Sequence, residues 1–187
     1  MRHLWLVLLL LFTWTAANAD EAKKSGKPEK PYSVSVGVYQ GKFSISSLPI
    51  DLDFSGYSLS IGQVFSDNFA GRFTYYSTDW DEFSGLDSDG VDIVLHWGTG
   101  LASKGFKAYI GGGWFKDTWE VTANLSGTPV TGKESFSGLQ ISGGIGYNWE
   151  SIALDLVLAV RDPDDYEKAF LAEVDPYTGS LLLSYRF

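Results

Sequence analysis

The sequence predicts an all-β fold, an eight-stranded antiparallel up-and-down transmembrane β-barrel, and three observations predict it. The last residues alternate, with Leu181, Leu183, Tyr185 and Phe187 on one face and Ser180, Leu182, Ser184 and Arg186 on the other, so strand periodicity runs to the chain end. Seven further segments repeat this pattern of apolar against small or polar. The connections between them run long, short, long, short, long, short, long, as in barrels with short periplasmic turns and longer extracellular loops.

The N-terminus supplies the export route. Arg2 and His3 precede an apolar run from Leu4 to Trp14, and Ala17-Asn18-Ala19 gives a small-residue cleavage site, so residues 1–19 read as a secretory signal peptide. The apolar run is shorter than the ~20 residues a membrane helix needs. Residues 20–31 are charged, contain Pro28 and Pro31 and lack large apolar side chains, which predicts a disordered periplasmic lead-in. Residues 32–187 form the barrel. With 0 cysteines there is neither a lipid anchor nor a disulfide, so the fold closes by hydrogen bonding and packing alone. The formal charge of -9 argues against nucleic-acid binding and against a polybasic membrane-surface protein.

Strand one places Tyr32, Val34, Val36 and Val38 outward against Ser33, Ser35, Gly37 and Tyr39, and a weak alternation at Phe43 and Ile45 extends the first hairpin beyond the membrane. Strand two, about Gly56 to Phe65, carries Tyr57, Leu59, Ile61 and Phe65 outward, and Ser66-Asp67-Asn68 is a tight turn. Strand three, about Phe69 to Thr78, directs Phe69, Phe73 and Tyr75 out and Arg72, Thr74 and Tyr76 in. The segment Asp79 to Gly90 follows, rich in carboxylates. Strand four, Val91 to Gly98, has Ile93, Leu95 and Trp97 out and Asp92 and His96 in; the turn from Thr99 to Gly105 is short. Strand five, Phe106 to about Phe115, bends at Gly111-Gly112-Gly113 and leads into a polar segment, Lys116 to Ser135. Strand six spans about Ser137 to Trp149. Strand seven begins at Ile152 with Asp155 and Arg161 inward. Asp162 to Thr178 is the last long connection before strand eight.

The bulky aliphatic and aromatic face does not fit the narrow interior of eight strands, whereas the glycine, serine and charged face does. The apolar face is therefore assigned to lipid. On these features the stretch from Tyr32 to Phe187 resembles the small eight-stranded outer-membrane barrels, the group of the outer-membrane protein A transmembrane domain, outer-membrane protein X and Ail-type proteins. Leu181, Leu183, Tyr185 and Phe187 resemble their C-terminal assembly signal. The resemblance implies a monomer in the cell outer membrane, surrounded by outer-membrane lipid and lipopolysaccharide, with the barrel-assembly machinery reading the C-terminus and any host or cell-surface ligand met by the loops. It implies no enzymatic activity of its own.

Strand direction puts Arg72, His96, Asp155 and Arg186 in the periplasmic half of the interior and Lys107 at its mouth. Buried charges must be paired, so Arg72, His96, Asp155 and Arg186 are expected to form an ion-paired plug, with Asp155 against Arg72 or Arg186; the alternative is a narrow gated pore lined by the same groups. A lipid A-modifying enzyme is a further reading, but its histidine-based site would have to use His96, which lies low and lacks a neighbouring serine on its strand. The acidic stretches Asp79 to Glu82, Asp87 to Gly90 and Asp162 to Asp165 read as solvated loop charge rather than as a metal site, because the Asp87 stretch lacks the glutamate that an EF-hand loop requires. No cofactor is expected. Trp80, Phe83, Trp119, Tyr166 and Phe170 are either adhesion contacts or packing between loops.

Overall fold

The computed structural model describes residues 28–46, 51–81, 85–125 and 128–187. The signal-peptide segment, the first part of the lead-in and Phe83 lie outside the described residues. Eight strands close into one antiparallel barrel in sequence order: β1 (Tyr32–Ile45), β2 (Asp51–Ser66), β3 (Phe69–Trp80), β4 (Leu86–Thr99), β5 (Gly105–Leu125), β6 (Thr128–Asn148), β7 (Ile152–Arg161) and β8 (Val174–Arg186). A helix, α1 (Asp164–Phe170), lies between β7 and β8. Closure leaves no sheet edge, so strand N–H and C=O groups can pair within the wall, as a hydrocarbon environment requires.

The seam of the barrel is β1 against β8. Val34 pairs with Tyr185 and Ile45 with Val174, and Tyr32 and Phe187 exchange backbone hydrogen bonds at 3.1 and 2.9 Å. Leu181, Leu183 and Tyr185 project outward and exposed, while the Phe187 ring sits 6.2 Å from Tyr185 and 6.1 Å from Tyr32. The chain enters β1 along the periplasmic rim, where Lys30 Nζ donates to Ser151 Oγ at 2.6 Å and Val64 N donates to the Pro31 carbonyl at 2.6 Å.

The outer wall carries exposed aliphatics such as Val36, Leu95, Leu139, Ile141 and Leu158. An exposed apolar surface of this extent is rare on a protein in water. Tyr57, Tyr75, Trp114 and Tyr177 border the band on the extracellular side, and Phe65, Phe69, Trp97, Phe106, Tyr147, Trp149 and Tyr185 border it on the periplasmic side. These are the aromatic girdles of a lipid-embedded barrel.

The strands run well past the upper girdle, and here the structure departs from the sequence reading. Lys116 to Ser135 is mostly strand: β5 and β6 continue as a paired ribbon from Trp114↔Leu139 to Leu125↔Thr128. β4 likewise begins at Leu86, inside the segment taken as a loop. The physical reason is an inversion of chemistry at constant parity. Within the membrane the inward positions of β5 are small or polar and the outward ones apolar, but above it the inward series continues as Phe115, Asp117 and Trp119, all buried, and Lys116 faces out. β1 behaves in the same way, with Val34 to Val38 outward below and Phe43 and Ile45 inward above. An extracellular strand facing water outside and packed atoms inside has the ordinary polarity of a soluble barrel.

Candidate functional site

Three layers of side chains occupy the interior. The lowest is centred on Asp155, 1% exposed on β7. Its Oδ2 accepts from Lys107 Nζ at 2.8 Å, its Oδ1 accepts from the Tyr109 hydroxyl at 2.8 Å, and Arg72 NH2 stands 3.7 Å from Oδ1. Pairing places Lys107 opposite Gly146 and Gly146 opposite Asp155, so lysine and carboxylate lie two strands apart at one level. Gly144 makes room for Tyr109: a Cβ there would enter the tyrosine ring.

Of the residues singled out by sequence, Arg72 and Asp155 are thus brought together. His96 stacks at an angle on Tyr109, with ring centroids 4.7 Å apart. Arg186 turns away from Asp155, and its NH2 donates to the carbonyls of Ala102 at 2.6 Å and Leu101 at 3.5 Å. Lys107, expected at the mouth, is buried and is the closest cation to Asp155.

The turn from Gly100 to Lys104 folds across the periplasmic opening. Asp67 holds it, accepting from the Gly100, Ala102 and Ser103 backbone N–H groups at 3.3, 3.1 and 2.9 Å and from the Ser103 hydroxyl at 2.6 Å. These bonds keep the Asp67 carboxyl below the usual aspartate range, the Ser103 hydroxyl bond contributing most. Asn148 Nδ2 donates to the Gly100, Leu101 and Ser103 carbonyls, and Leu101 packs on Ala70 and Tyr109.

The second layer lies higher and was not identified as a unit from sequence. Arg161 on β7 pairs with Asp92 of β4 and Asp117 of β5, each at 2.8 Å. Its NH2 also donates to the hydroxyls of Tyr39 at 2.6 Å and Tyr76 at 2.9 Å. Tyr39 and Tyr76 stack with centroids 4.1 Å apart, Tyr76 and Tyr166 both donate to Asp117, and Phe115 lies 4.5 Å from the guanidinium. A cation satisfied by two carboxylates and flanked by aromatic faces is a setting suited to arginine. Gly90 is required beside it, since a Cβ would collide with the Tyr76 hydroxyl and Asp117. Strand alternation identifies Asp92 and Arg161 as inward; Asp117 lies in the polar segment Lys116 to Ser135, where alternation gives no signal.

The third layer is apolar and lies across the extracellular mouth. Phe43, Phe54, Phe115, Trp119, Phe136 and Tyr166 form one buried cluster with Ile45, Leu52, Leu86 and Val174, joined by Trp80 and Phe170. Its members come from β1, β2, β4, β5, β6, β8 and α1. Trp119 contacts Phe43 and Phe54 at centroid distances of 4.9 Å, and Tyr166 stacks on Phe136 at 4.5 Å. Asp165 anchors α1 to β6 by accepting from Ser137 N at 3.1 Å, which, first among its causes, lowers the Asp165 pKa. Trp80, Trp119, Tyr166 and Phe170 therefore pack into this layer.

His96 stacks on Tyr109, and the inward-facing carboxylate of its own strand, Asp92, is engaged by Arg161. Among the described residues no group of three His, Asp or Glu side chains is placed to hold a metal ion.

No protein-family profile matches the chain, and no curated protein matches it in sequence. Solved structures do match in fold. Ail, the attachment invasion locus protein of Yersinia pestis, superposes with a TM-score of 0.60 at 16% identity, covering 84% of this chain and 99% of Ail; Ail has also been solved in complex with the heparin analogue sucrose octasulfate. Neisserial surface protein A superposes with a TM-score of 0.62 at 14% identity, covering 83% of this chain and 97% of that one. The outer-membrane protein OprG of Pseudomonas aeruginosa gives 0.55 at 12% identity, covering 87% and 98%. With its lipid-facing wall and paired aromatic girdles, the chain has the fold of the small eight-stranded outer-membrane barrels and is an outer-membrane protein.

Proposed function

We propose that this barrel is sealed and acts through its extracellular surface, in surface interaction or envelope maintenance, with no catalytic turnover. The observation that carries the reading is the aromatic layer over the Arg161 cluster: ten buried apolar side chains span the mouth above Arg161 paired with both Asp92 and Asp117. A pore would need a hydrated path there, and the dense packing of aromatic rings favours none. The lower layer, with Asp155 against Lys107 and Arg72, would serve as the ion-paired plug of the periplasmic half. The barrel is taken to work as a monomer among outer-membrane lipid and lipopolysaccharide, exported by the segment 1–19 and delivered by the assembly machinery reading Leu181, Leu183, Tyr185 and Phe187.

The exposed extracellular strands supply the chemistry of interaction. Their outward positions set carboxylates in register, Asp79 opposite Asp87 and Asp87 opposite Glu120, with Asp89 on the same strand as Asp87 and Lys133 at 2.5 Å from Glu120. Like charges directly opposite one another cost sheet stability, and a cationic partner would relieve that cost. In this respect the surface differs from a site for a sulfated polyanion such as the one bound by Ail: the partner class favoured here is basic, a cationic protein segment or the divalent ions of the lipopolysaccharide layer. Neutralising the outward carboxylates together, as Asp79→Asn, Asp87→Asn, Asp89→Asn and Glu120→Gln, should reduce cell adhesion or raise envelope permeability while leaving the aromatic layer intact. Unchanged values of both would count against the reading.

A further inference from the structure

The periplasmic end of the lumen holds more cation than its own carboxylate neutralises. Arg72, Lys107 and Arg186 line one cavity of about 40 Å³, and Asp155 is the single acid among its described lining residues. Asp155 is already committed to Lys107 and Tyr109. Arg72 has only long contacts, 3.4 and 3.5 Å to the Tyr109 hydroxyl and 3.7 Å to Asp155. Arg186 is bonded to neutral carbonyls and is 5% exposed. Asp67, on the neighbouring periplasmic turn, spends its oxygens on the turn it pins.

Buried cations without counter-charge are costly, and the surplus here is concentrated on two arginines whose N–H groups retain donor capacity. Guanidinium groups match tetrahedral oxyanions by geometry as well as charge. The cavity is polar and large enough for a few waters, since one water needs about 10–15 Å³ of such space, and an ion of that size can replace them. The lining is completed toward the periplasm by Tyr32, Ser33 and Gln63, at the end of the barrel away from the aromatic layer.

We propose that this cavity is a periplasm-facing binding site for a small inorganic oxyanion of the phosphate class, held by Arg72 and Arg186 with Lys107 and His96 adjoining. The site goes beyond the extracellular role and is independent of it: an oxyanion bound here neutralises the lower layer whether or not the outer surface has a partner.

The test uses the full mature barrel refolded in detergent, titrated with inorganic phosphate at constant ionic strength and followed by calorimetry and by the thermal midpoint. One saturable site and a rising midpoint are expected. Arg186→Gln and Arg72→Gln should each weaken binding on the order of tenfold, the loss of one charge-assisted hydrogen bond, while Lys42→Gln at the extracellular end leaves it unchanged. If Arg72→Gln does not refold, Arg186→Gln carries the test, because its partners are backbone carbonyls. Absence of saturable binding to the unmutated barrel, or the same affinity in Arg186→Gln, would overturn the proposal.

Discussion

Arg161 and Asp117 meet at 2.8 Å inside the barrel with both side chains 1% exposed. The arginine comes from the last residue of β7 and the aspartate from the part of β5 that rises above the upper girdle. Removing one partner of a buried pair typically costs about 3–5 kcal/mol because the other charge is stranded. Arg161→Met should therefore lower the unfolding midpoint strongly, and adding Asp92→Asn and Asp117→Asn in the same chain should recover part of the loss. Thermal unfolding in detergent checks this; a single mutant as stable as the parent would mean that the cluster contributes nothing.

For Asp155, two cycles distinguish its partners. Lys107 at 2.8 Å and Arg72 at 3.7 Å predict a larger coupling for Asp155→Ala with Lys107→Ala than for Asp155→Ala with Arg72→Ala. Coupled neighbours give interaction energies of about 0.5–3 kcal/mol. Strict additivity in the Lys107 cycle would contradict the ion-paired reading.

Truncating the centre of the aromatic layer should loosen the mouth. Trp119→Ala removes contacts to Phe43, Phe54, Phe136 and Tyr166, and a large-to-small change of this kind costs about 3–5 kcal/mol. Limited proteolysis should then cut faster within α1 than in the parent, with the membrane-embedded strands still protected. Equal cutting rates would show that α1 is held by other means.

The periplasmic turn should be acid-sensitive. Asp67 has a folded pKa below the ordinary 3.8, so its contribution is complete above that value and is lost as pH falls through the lowered one. Asp67→Asn should remove this dependence. Exchange of the Ala102 and Ser103 amides with deuterium, measured from neutral pH downward after correction for intrinsic rates, should rise at the acid end in the parent only; parallel profiles would refute the assignment.

The membrane-embedded part of the fold was legible because its period-two alternation is strong: Val34, Val36 and Val38 on β1 and Leu181, Leu183 and Tyr185 on β8 face outward as read. What escaped was the extracellular half, where Phe43, Phe115 and Trp119 keep the parity of their strands but the chemistry of the faces exchanges, so a fixed apolar-out rule stops at Lys116. The site followed the same division. Arg72 and Asp155 were placed together from strand direction, whereas Arg186 was diverted by carbonyls of a turn whose inward fold depends on Asp67 and Asn148, contacts that alternation does not encode. Asp117 and Tyr166 were hidden because the contacts are remote in sequence: Asp117 meets Tyr76, Arg161 and Tyr166 across 41, 44 and 49 residues of chain.

Conductance of the purified, unmutated barrel in a planar lipid bilayer tests the sealed-barrel account most directly. With Arg161, Asp92 and Asp117 paired beneath the Phe43–Trp119–Tyr166 layer, the account predicts no steady ion current at moderate voltage, and a measurable leak only when the layer and the triad are disrupted together, as in Trp119→Ala with Arg161→Met. A steady, large conductance from the unmutated protein would contradict it and assign the lumen, rather than the extracellular surface, as the working part of the molecule.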